Sequence, residues 1–226
     1  MKICAISDMH GQLDIEIEKC DILCICGDIV PLNVQTSFNG TMDWIKNVFI
    51  PWCNSIECDK IFLISGNHDI VSQNFPEEWG HAFEGTKIEY LLDSSSEYTD
   101  EKGKTITIYG TPWCHQFFNW AFMTSDEKLA EIFEKIPENV DLLMTHDSPY
   151  GTSDVLLQNV AWNSGNHIGC KPLADAVNKK KPKILIHGHL HSTNHECEMM
   201  GETEVYNVSV LNENYTLVYE PKYIDF

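Results

Sequence analysis

The chain has 226 residues, of which 43% are hydrophobic and 22% charged, and its formal net charge is −19. This is an ordinary globular composition that excludes a disordered or membrane-embedded chain, and one domain spanning residues 1–226 is expected. The negative charge repels polyanions, which argues against extended nucleic acid as a partner.

Apolar runs and helical patterns alternate along the chain, which predicts an α/β fold. Most of the runs are continuously apolar, as expected for strands that are covered on both faces. In chain order, the predicted elements are strands at 2–7 and 21–26, a helix at 41–49, a strand at 60–65, an exposed hairpin or loop at 93–104, a strand at 105–109, a helix at 126–136, a strand at 141–144, a helix at 172–180, and strands at 183–186, 204–210 and 215–219.

Most of five short motifs follow one of these apolar runs. They are Asp8-Met9-His10-Gly11, Gly27-Asp28, Gly66-Asn67-His68-Asp69, Thr145-His146 and Gly188-His189-Leu190-His191. Carboxylate, amide and imidazole groups are the ligands that hard or borderline divalent cations prefer. The ends of neighbouring buried strands hold such ligands rigidly. The motifs together therefore predict a two-metal hydrolase site.

This motif order resembles the signature of the calcineurin-like metallophosphoesterase superfamily over residues 8–191. Further stretches are similar to the branch called metallophosphoesterase-domain-containing proteins, which is associated with cyclic nucleotide phosphodiester hydrolysis. These stretches are Gly110-Thr111-Pro112-Trp113, Trp120-Ala121-Phe122, residues 141–146, Pro149-Tyr150-Gly151 and His167-Ile168-Gly169-Cys170. The resemblance implies a four-layer α/β/β/α sandwich.

The resemblance also implies two divalent metal ions, with manganese favoured over iron, zinc or nickel. Matching positions assign Asp8, His10, Asp28 and His191 to one metal, and Asp28, Asn67, His146 and His189 to the other. Asp28 would then bridge the two ions together with a shared water. Two cations lower the pKa of such a water enough to give a hydroxide nucleophile near neutral pH.

Two further residues of the third motif carry expected roles. His68 resembles the histidine that protonates the leaving-group oxygen in this superfamily, a role that suits an imidazole titrating near neutrality. Asp69 is expected to support the loop or to orient an imidazole, and a turn-capping role is an equal alternative.

The residues after Gly27-Asp28 bear on the substrate. They read Ile29-Val30-Pro31-Leu32, whereas serine/threonine phosphoprotein phosphatases continue with a Val-Asp-Arg-Gly string that supplies a phosphate-binding arginine. The whole chain has only 15 Lys and Arg residues, so metals and histidines are expected to hold the phosphate. This suits a small, singly charged phosphodiester, with cyclic nucleotides as the leading expectation.

Three alternatives compete with a phosphodiesterase. A phosphomonoesterase calls for a phosphate-clamping arginine, and a nuclease calls for a basic groove, and neither is evident in the sequence. A non-catalytic scaffold relative tends to lose ligands or the general acid, whereas all seven ligand positions and His68 are present here.

Several other residues near the motifs have two readings. The aromatic residues of the segment 113–122 either form a wall that stacks an aromatic leaving group or close the core. His115 is expected near the substrate, His187 is expected to pack behind the site, and His167 is expected either to line the site or to be structural. His81 and His195 are expected at the surface.

The cysteines and the N-terminal residues indicate a compartment. There are nine cysteines, an odd number, without a Cys-x-x-Cys pair, which fits a reducing environment and not a disulfide framework. The residues before Asp8 are too few for a signal peptide. The protein is therefore expected in the cytoplasm, and its oligomeric state is left open.

Overall fold

The computed structural model describes residues 1–156 and 165–226. Two large mixed sheets pack face to face, and helices cover the outer face of each. This arrangement confirms the predicted α/β/β/α sandwich. Among the described residues, no helix has the length and apolar character needed to cross a membrane.

The first sheet contains five strands of the described part of the chain, in the order β13-β1-β2-β3-β4. Its strands are β1 (Lys2–Ile6), β2 (Ile22–Cys26), β3 (Lys60–Ile64), β4 (Ile88–Tyr90) and β13 (Lys222–Asp225). Strands β1 to β4 are parallel, and β13 runs antiparallel to β1.

The second sheet has six strands within the described ranges, in the order β11-β12-β10-β9-β6-β5. Its strands are β5 (Ser94–Thr99), β6 (Thr105–Thr111), β9 (Leu142–Thr145), β10 (Ile184–His187), β11 (Glu198–Met200) and β12 (Thr203–Asn207). The four central strands are parallel, and the two edge strands are antiparallel to their neighbours. Strand β5 lies in the segment 93–104, which was predicted as a hairpin or loop, and it forms a hairpin with β6. A small separate ribbon pairs β7 (Cys114–His115) with β8 (Met123–Thr124).

The helices lie on the two outer faces. They are α1 (Phe38–Trp44), a π-helical turn (Ile45–Phe49), α2 (Ile50–Ser55), α3 (Ile70–Asn74), α4 (Pro76–His81), α5 (Asp126–Phe133) and α6 (Lys171–Lys180). The first three of these form one helical stretch, longer than the predicted helix at 41–49. Helices α5 and α6 pack against the second sheet, where Leu129, Phe133 and Leu173 are fully buried.

Strand β2 shows why the apolar runs of the sequence are continuous. Cys24 and Cys26 face the second sheet, while Leu23 and Ile25 face the helices of the outer layer. All four side chains are fully buried. Because both faces are covered, no polar alternation is needed, and the strand is held in a fixed position for the loop that follows it.

The predicted strand at residues 215–219 is wrong. These residues form a loop, with a single bridge between Leu211 and Leu217, and the last strand is β13. The physical reason is a turn in which the Tyr215 N–H donates to the Asn212 carbonyl, with Tyr215 at a φ of 56°. A left-handed residue interrupts an extended strand.

Candidate metal centre

The parallel strands of both sheets end at one common edge, and the motifs occupy the loops that leave it. Asp8 follows β1, Asp28 follows β2, Asn67 follows β3, and His146 and His189 follow β9 and β10. The two sheets are linked at this edge, since the Val210 N–H donates to the Ser7 carbonyl at 3.0 Å. Side chains that are far apart in the sequence therefore meet at the carboxyl ends of the strands.

All seven predicted ligands lie together at this edge, and Asp28 is central. Its Oδ2 atom lies 3.6 Å from His10 Nε2 and 3.5 Å from His146 Nε2. On one side, His191 Nε2 lies 3.4 Å from Asp8 Oδ1. On the other side, Asn67 Oδ1 lies 3.0 Å from His146 Nε2 and 2.8 Å from His189 Nδ1. The cluster therefore consists of two groups that share Asp28.

Strained backbone conformations place these side chains. Asp8, His10, Asp28 and His189 have φ values of 57°, 44°, 51° and 68°, in the left-handed region that residues with a Cβ rarely adopt. Such strain persists only where the surroundings impose it, and it concentrates at functional sites. Gly66 allows the close approach of two of these loops, because a Cβ there would collide with the Asp28 carboxylate and the His146 ring.

Backbone groups behind the cluster orient the imidazole rings. His146 Nδ1 bonds the Cys26 carbonyl at 2.7 Å, and His191 Nδ1 bonds the Asn212 carbonyl at 3.1 Å. A carbonyl accepts only from a protonated nitrogen, so Nε2 of each ring is left to face the carboxylates. Anchoring of this kind is the usual support for metal-binding histidines.

The two carboxylates are fixed in the same way. Asp8 accepts hydrogen bonds from the Ser209 hydroxyl at 2.6 Å and from the His189 backbone N–H, and Asp28 accepts one from the His68 N–H at 2.7 Å. Side chains held this firmly lose little further freedom when they bind an ion.

The donor set fits divalent metal ions. His10 is 7% exposed, yet neither of its ring nitrogens has a hydrogen-bond partner among the described residues. The imidazole–carboxylate separations of 3.4 to 3.6 Å at His10, His146 and His191 are too long for good hydrogen bonds. They are close to the separation of about 3.0–3.4 Å between two ligands that share one ion at about 2.1 Å. A bound cation would give these unpaired buried atoms a partner.

The electrostatics of the protein groups point to the same conclusion. Burial lowers the pKa of His146, but the Asp28 and Asp8 carboxylates outweigh it and raise that pKa to about 10. His191 is affected in the same way, since Asp8 raises its pKa to about 9 against the effect of burial. The cluster therefore attracts positive charge. Metal ions would compete with protons for these groups and release them on binding.

Comparison with known proteins gives a family. The model of the calcineurin-like phosphoesterase family matches residues 1–193. The chain belongs to this family. The resemblance noted in the sequence is thus confirmed, and the family is one of metal-dependent phosphoester hydrolases.

Among curated relatives, metallophosphoesterase domain-containing protein 1 of Homo sapiens is 28% identical over 97% of this chain and 69% of its own length. UPF0046 protein T07D4.2 of Caenorhabditis elegans is 38% identical over 53% of this chain, and the match spans only 29% of that relative. The crystal structure of the phosphopantetheinyl hydrolase PptH from Mycobacterium tuberculosis superposes with a TM-score of 0.57 at 14% identity, covering 95% of this chain and 90% of that one. The structural likeness supports the calcineurin-like phosphoesterase fold.

Asp69 lies behind the cluster of predicted ligands in this calcineurin-like phosphoesterase and supports its loops. Its carboxylate accepts hydrogen bonds from the backbone N–H groups of Asp28 and Gly66 at 2.8 Å, and from those of Ile29 and Val30 at 3.1 Å. The loops after β2 and β3 are thereby tied together. Burial and the Asp28 carboxylate raise the pKa of Asp69 to about 7, against the effect of these donors. Loop support was one of the roles expected from the sequence.

His68 lies beside the cluster and is anchored at one ring nitrogen. Its Nδ1 bonds Gln35 Oε1 at 2.8 Å. The ring centroid lies 5.1 Å from that of His10 and 4.4 Å from that of Trp120. With Nδ1 held by Gln35, Nε2 is the nitrogen available to a ligand. Nothing in the sequence pointed to Gln35, which is 33 positions away.

A cavity of about 620 Å³ opens over the cluster. It is lined by five predicted ligands, by His68 and Leu190 of the motifs, and by residues of three loops that carry no metal motif: His115, Gln116, Phe117, Phe118, Trp120, Leu156, Ile168, Glu213 and Tyr215. Tyr215 was not foreseen because residues 215–219 were predicted as a strand, and Glu213 was not foreseen because it belongs to no motif. The backbone of Tyr215 is left-handed, and its ring centroid lies 5.0 Å from that of His10 and 5.5 Å from that of His191.

The aromatic segment divides between the cavity wall and the core, and the stacking of a leaving group on that wall stays a prediction. Phe122 is 2% exposed and packs edge-on against Trp113, so these two close the core. Phe117 and Phe118 are 41% and 67% exposed and line the cavity together with Trp120. The cavity wall is thus made by the tip of the segment and the core contact by its ends.

The other histidines fall in different environments. His187 is fully buried, with Nδ1 bonded to the Gly188 carbonyl, and burial lowers its pKa to about 4. His167 is not among the lining residues and bonds the buried Asp154. The expected surface position of His195 is wrong: its ring is half-buried and stacked 3.6 Å from that of Tyr219. His115 lines the cavity.

Proposed function

We propose that this chain hydrolyses small phosphodiesters with two divalent metal ions, with manganese as the favoured metal and cyclic nucleotides as the leading substrate class. The observation that carries the proposal is the coincidence of seven ligand side chains, a free His68 Nε2 and a cavity of substrate size. Calcineurin-like phosphoesterases are metal-dependent hydrolases, so the open questions are the ester class and the roles of individual residues.

The lining of the cavity favours a diester over a monoester. No lysine or arginine occurs among its described lining residues, and Glu213 adds a negative charge at the rim. A dianionic monoester gains from a fixed guanidinium clamp, which this cavity lacks. A singly charged diester needs less positive charge, and the metal centre together with histidines supplies it.

The proposed reaction uses the chain's own residues for proton transfer. Bound divalent ions supply an activated water nucleophile and neutralise charge on the phosphoryl oxygens. Water adds to phosphorus and loses a proton to the solvent as the bond from phosphorus to the leaving oxygen breaks, and His68 gives its Nε2 proton to that oxygen. Gln35 Oε1 accepts from Nδ1–H at 2.8 Å, so only the imidazolium form of the ring also carries the Nε2 proton that this step needs.

The position of Trp120 bears on the leaving group. Its ring lies 4.4 Å from that of His68, so the group that receives the proton lies beside an aromatic surface. Aromatic stacking contributes about 0.5–1.5 kcal/mol beyond area burial. This supports an aromatic or nucleoside leaving group over a small alcohol.

A reducing compartment, with the cytoplasm as the proposed location, also fits the structure. All nine cysteines lie in the described ranges and are free, and most of them are buried. Disulfide bonds are the usual feature of extracellular proteins of this size, whereas free thiols persist in the cytosol.

Hydrolysis of bis(p-nitrophenyl) phosphate and p-nitrophenyl phosphate, compared on the purified chain with added manganese and with chelator, tests the proposal. Metal-dependent cleavage that favours the diester is the expected result, and it justifies a screen of cyclic nucleotides. Preference for the monoester would assign a phosphomonoesterase instead. Cleavage of neither ester, with metal shown to be bound, would point to a non-catalytic relative.

A further inference from the structure

We propose that His115 is a second substrate-binding histidine, which contacts the phosphate group of the substrate through Nε2 while Asp147 positions its ring. The proposal rests on the proposed phosphoesterase function of the same cavity. It adds a protein ligand for the phosphate on a wall that carries no metal motif.

The His115 ring is held by one carboxylate from two directions. His115 Nδ1 lies 2.7 Å from Asp147 Oδ2, and the His115 backbone N–H donates to the same oxygen at 2.8 Å. The other carboxylate oxygen accepts the Ser148 N–H at 2.9 Å. Asp147 is fully buried, so its position is fixed by packing as well as by these bonds. The ring orientation of His115 is therefore determined before any ligand arrives.

The ring faces the cavity. The His115 side chain is 25% exposed and is part of the cavity lining. The Phe117 ring neighbours both His115 and the cluster of predicted ligands, with its centroid 6.2 Å from that of His115 and 5.5 Å from that of His189. His68 approaches the cavity from the side of His10 and Trp120. The two anchored imidazoles thus lie beside different parts of the cluster.

The chemistry of the anchored ring suits an anionic ligand. Since Nδ1 bonds Asp147, Nε2 is the polar atom left for the cavity. Burial lowers the pKa of His115, but the Asp147 carboxylate outweighs it and raises that pKa. A protonated Nε2–H donates a charge-assisted hydrogen bond to a phosphoryl oxygen. Among the described lining residues no lysine or arginine competes for this role.

A second histidine–aspartate pair provides a matched control. His167 Nδ1 lies 2.6 Å from Asp154 Oδ1, and Asp154 is fully buried and accepts the N–H groups of Gly151 and Gly169. The anchoring geometry resembles that of His115, yet His167 does not line the cavity. Substitution of His167 therefore measures the structural effect of breaking such a pair, because no substrate contact is removed with it.

Two substitutions separate anchoring from substrate contact. His115→Asn retains an amide near the position of Nδ1 and removes the group at Nε2. His115→Gln places an amide donor near the position of Nε2. A substrate contact predicts that Gln restores part of the lost function and Asn does not, whereas a purely structural bond to Asp147 predicts the reverse order.

The experiment measures binding and turnover on manganese-loaded full-length chains. Inorganic phosphate is titrated by calorimetry, KM and kcat are measured on bis(p-nitrophenyl) phosphate, and metal content is determined by mass spectrometry. In His115→Asn we expect phosphate affinity to fall and KM to rise by about 10- to 100-fold, the range for a lost hydrogen bond to a charged group. Metal content and kcat should change little, and His167→Asn should match the parent chain.

Several results would overturn the proposal. These are unchanged phosphate affinity in both His115 variants, an equal loss in His167→Asn, loss of metal from the His115 variants, or no phosphate binding by the parent chain. If one His115 variant fails to fold, the other is compared with the parent alone. If the parent binds phosphate but cleaves neither ester, the proposed function fails while the affinity comparison still decides the role of His115.

Discussion

The strand-end cluster and the cavity wall above it are built in contrasting ways. The cluster's side chains leave strands that are buried on both faces, and backbone hydrogen bonds hold Asp8, Asp28, His146 and His191 in place. The wall comes from loops, and its Phe117 and Phe118 rings are largely exposed. We infer that the rigid edge holds the reacting groups in position, while the loops determine which substrate binds.

Removal of the shared ligand should have the largest effect. We expect Asp28→Ala to abolish hydrolysis and to lower metal content, because both metal groups lose the carboxylate they share. Metal content by mass spectrometry and turnover of the diester are the two measurements. An active variant that retains two metal ions would show that metal binding and hydrolysis do not depend on Asp28.

His68→Ala should slow turnover by about 10²- to 10⁴-fold for esters with poor leaving groups, the usual range for a lost general acid. The loss should be smaller for p-nitrophenol, which leaves without protonation. Metal content should be retained, since the His68 side chain is not a predicted ligand. Equal rates for parent and variant on an alkyl ester would remove His68 from the reaction.

Removal of metal by a chelator should lower the free energy of unfolding measurably if the strand-end cluster binds metal ions. A ligand at 100 times its Kd stabilises the folded state by about 2.7 kcal/mol. For a chain of this size each kcal/mol shifts Tm by about 2–4 °C. We therefore expect thermal unfolding about 5–10 °C higher with excess manganese than with chelator. The same Tm under both conditions would argue against tight binding at the edge.

The smallest effect is expected at the wall. Trp120→Ala should raise KM for bis(p-nitrophenyl) phosphate by about 2- to 10-fold, since an aromatic contact contributes about 0.5–1.5 kcal/mol. Phe122→Leu provides a contrast, because the Phe122 ring packs in the core and should affect Tm and not KM. A raised KM in Phe122→Leu together with an unchanged KM in Trp120→Ala would reverse the assignment of wall and core.

The sequence predicted the edge well because its signals are local. A continuously apolar run such as residues 22–26 indicates a doubly buried strand, and the polar motif after it must then lie at the sheet edge. Parallel strands share that edge, so the ligands meet whatever their separation in sequence. The family resemblance added the predicted assignment of the ligands and the two-sheet architecture.

The wall could not be predicted because its contacts join loops that are distant in sequence. Gln35 meets His68, Asp147 meets His115, and Tyr215 meets His10 without a shared motif or periodicity. The segment 215–219 was predicted as a strand, and the left-handed conformation of Tyr215 makes it a loop instead. Sequence periodicity reports burial within an element and contains no information on which loops approach each other.

Anomalous X-ray diffraction from crystals of the manganese-loaded protein tests the central claim most directly. We expect two anomalous peaks at the strand-end edge, about 3.5–4 Å apart. One should lie beside Asp8, His10 and His191, the other beside Asn67, His146 and His189, with Asp28 between them. No peak at this edge, or a single peak that Asp28 does not contact, would contradict the account.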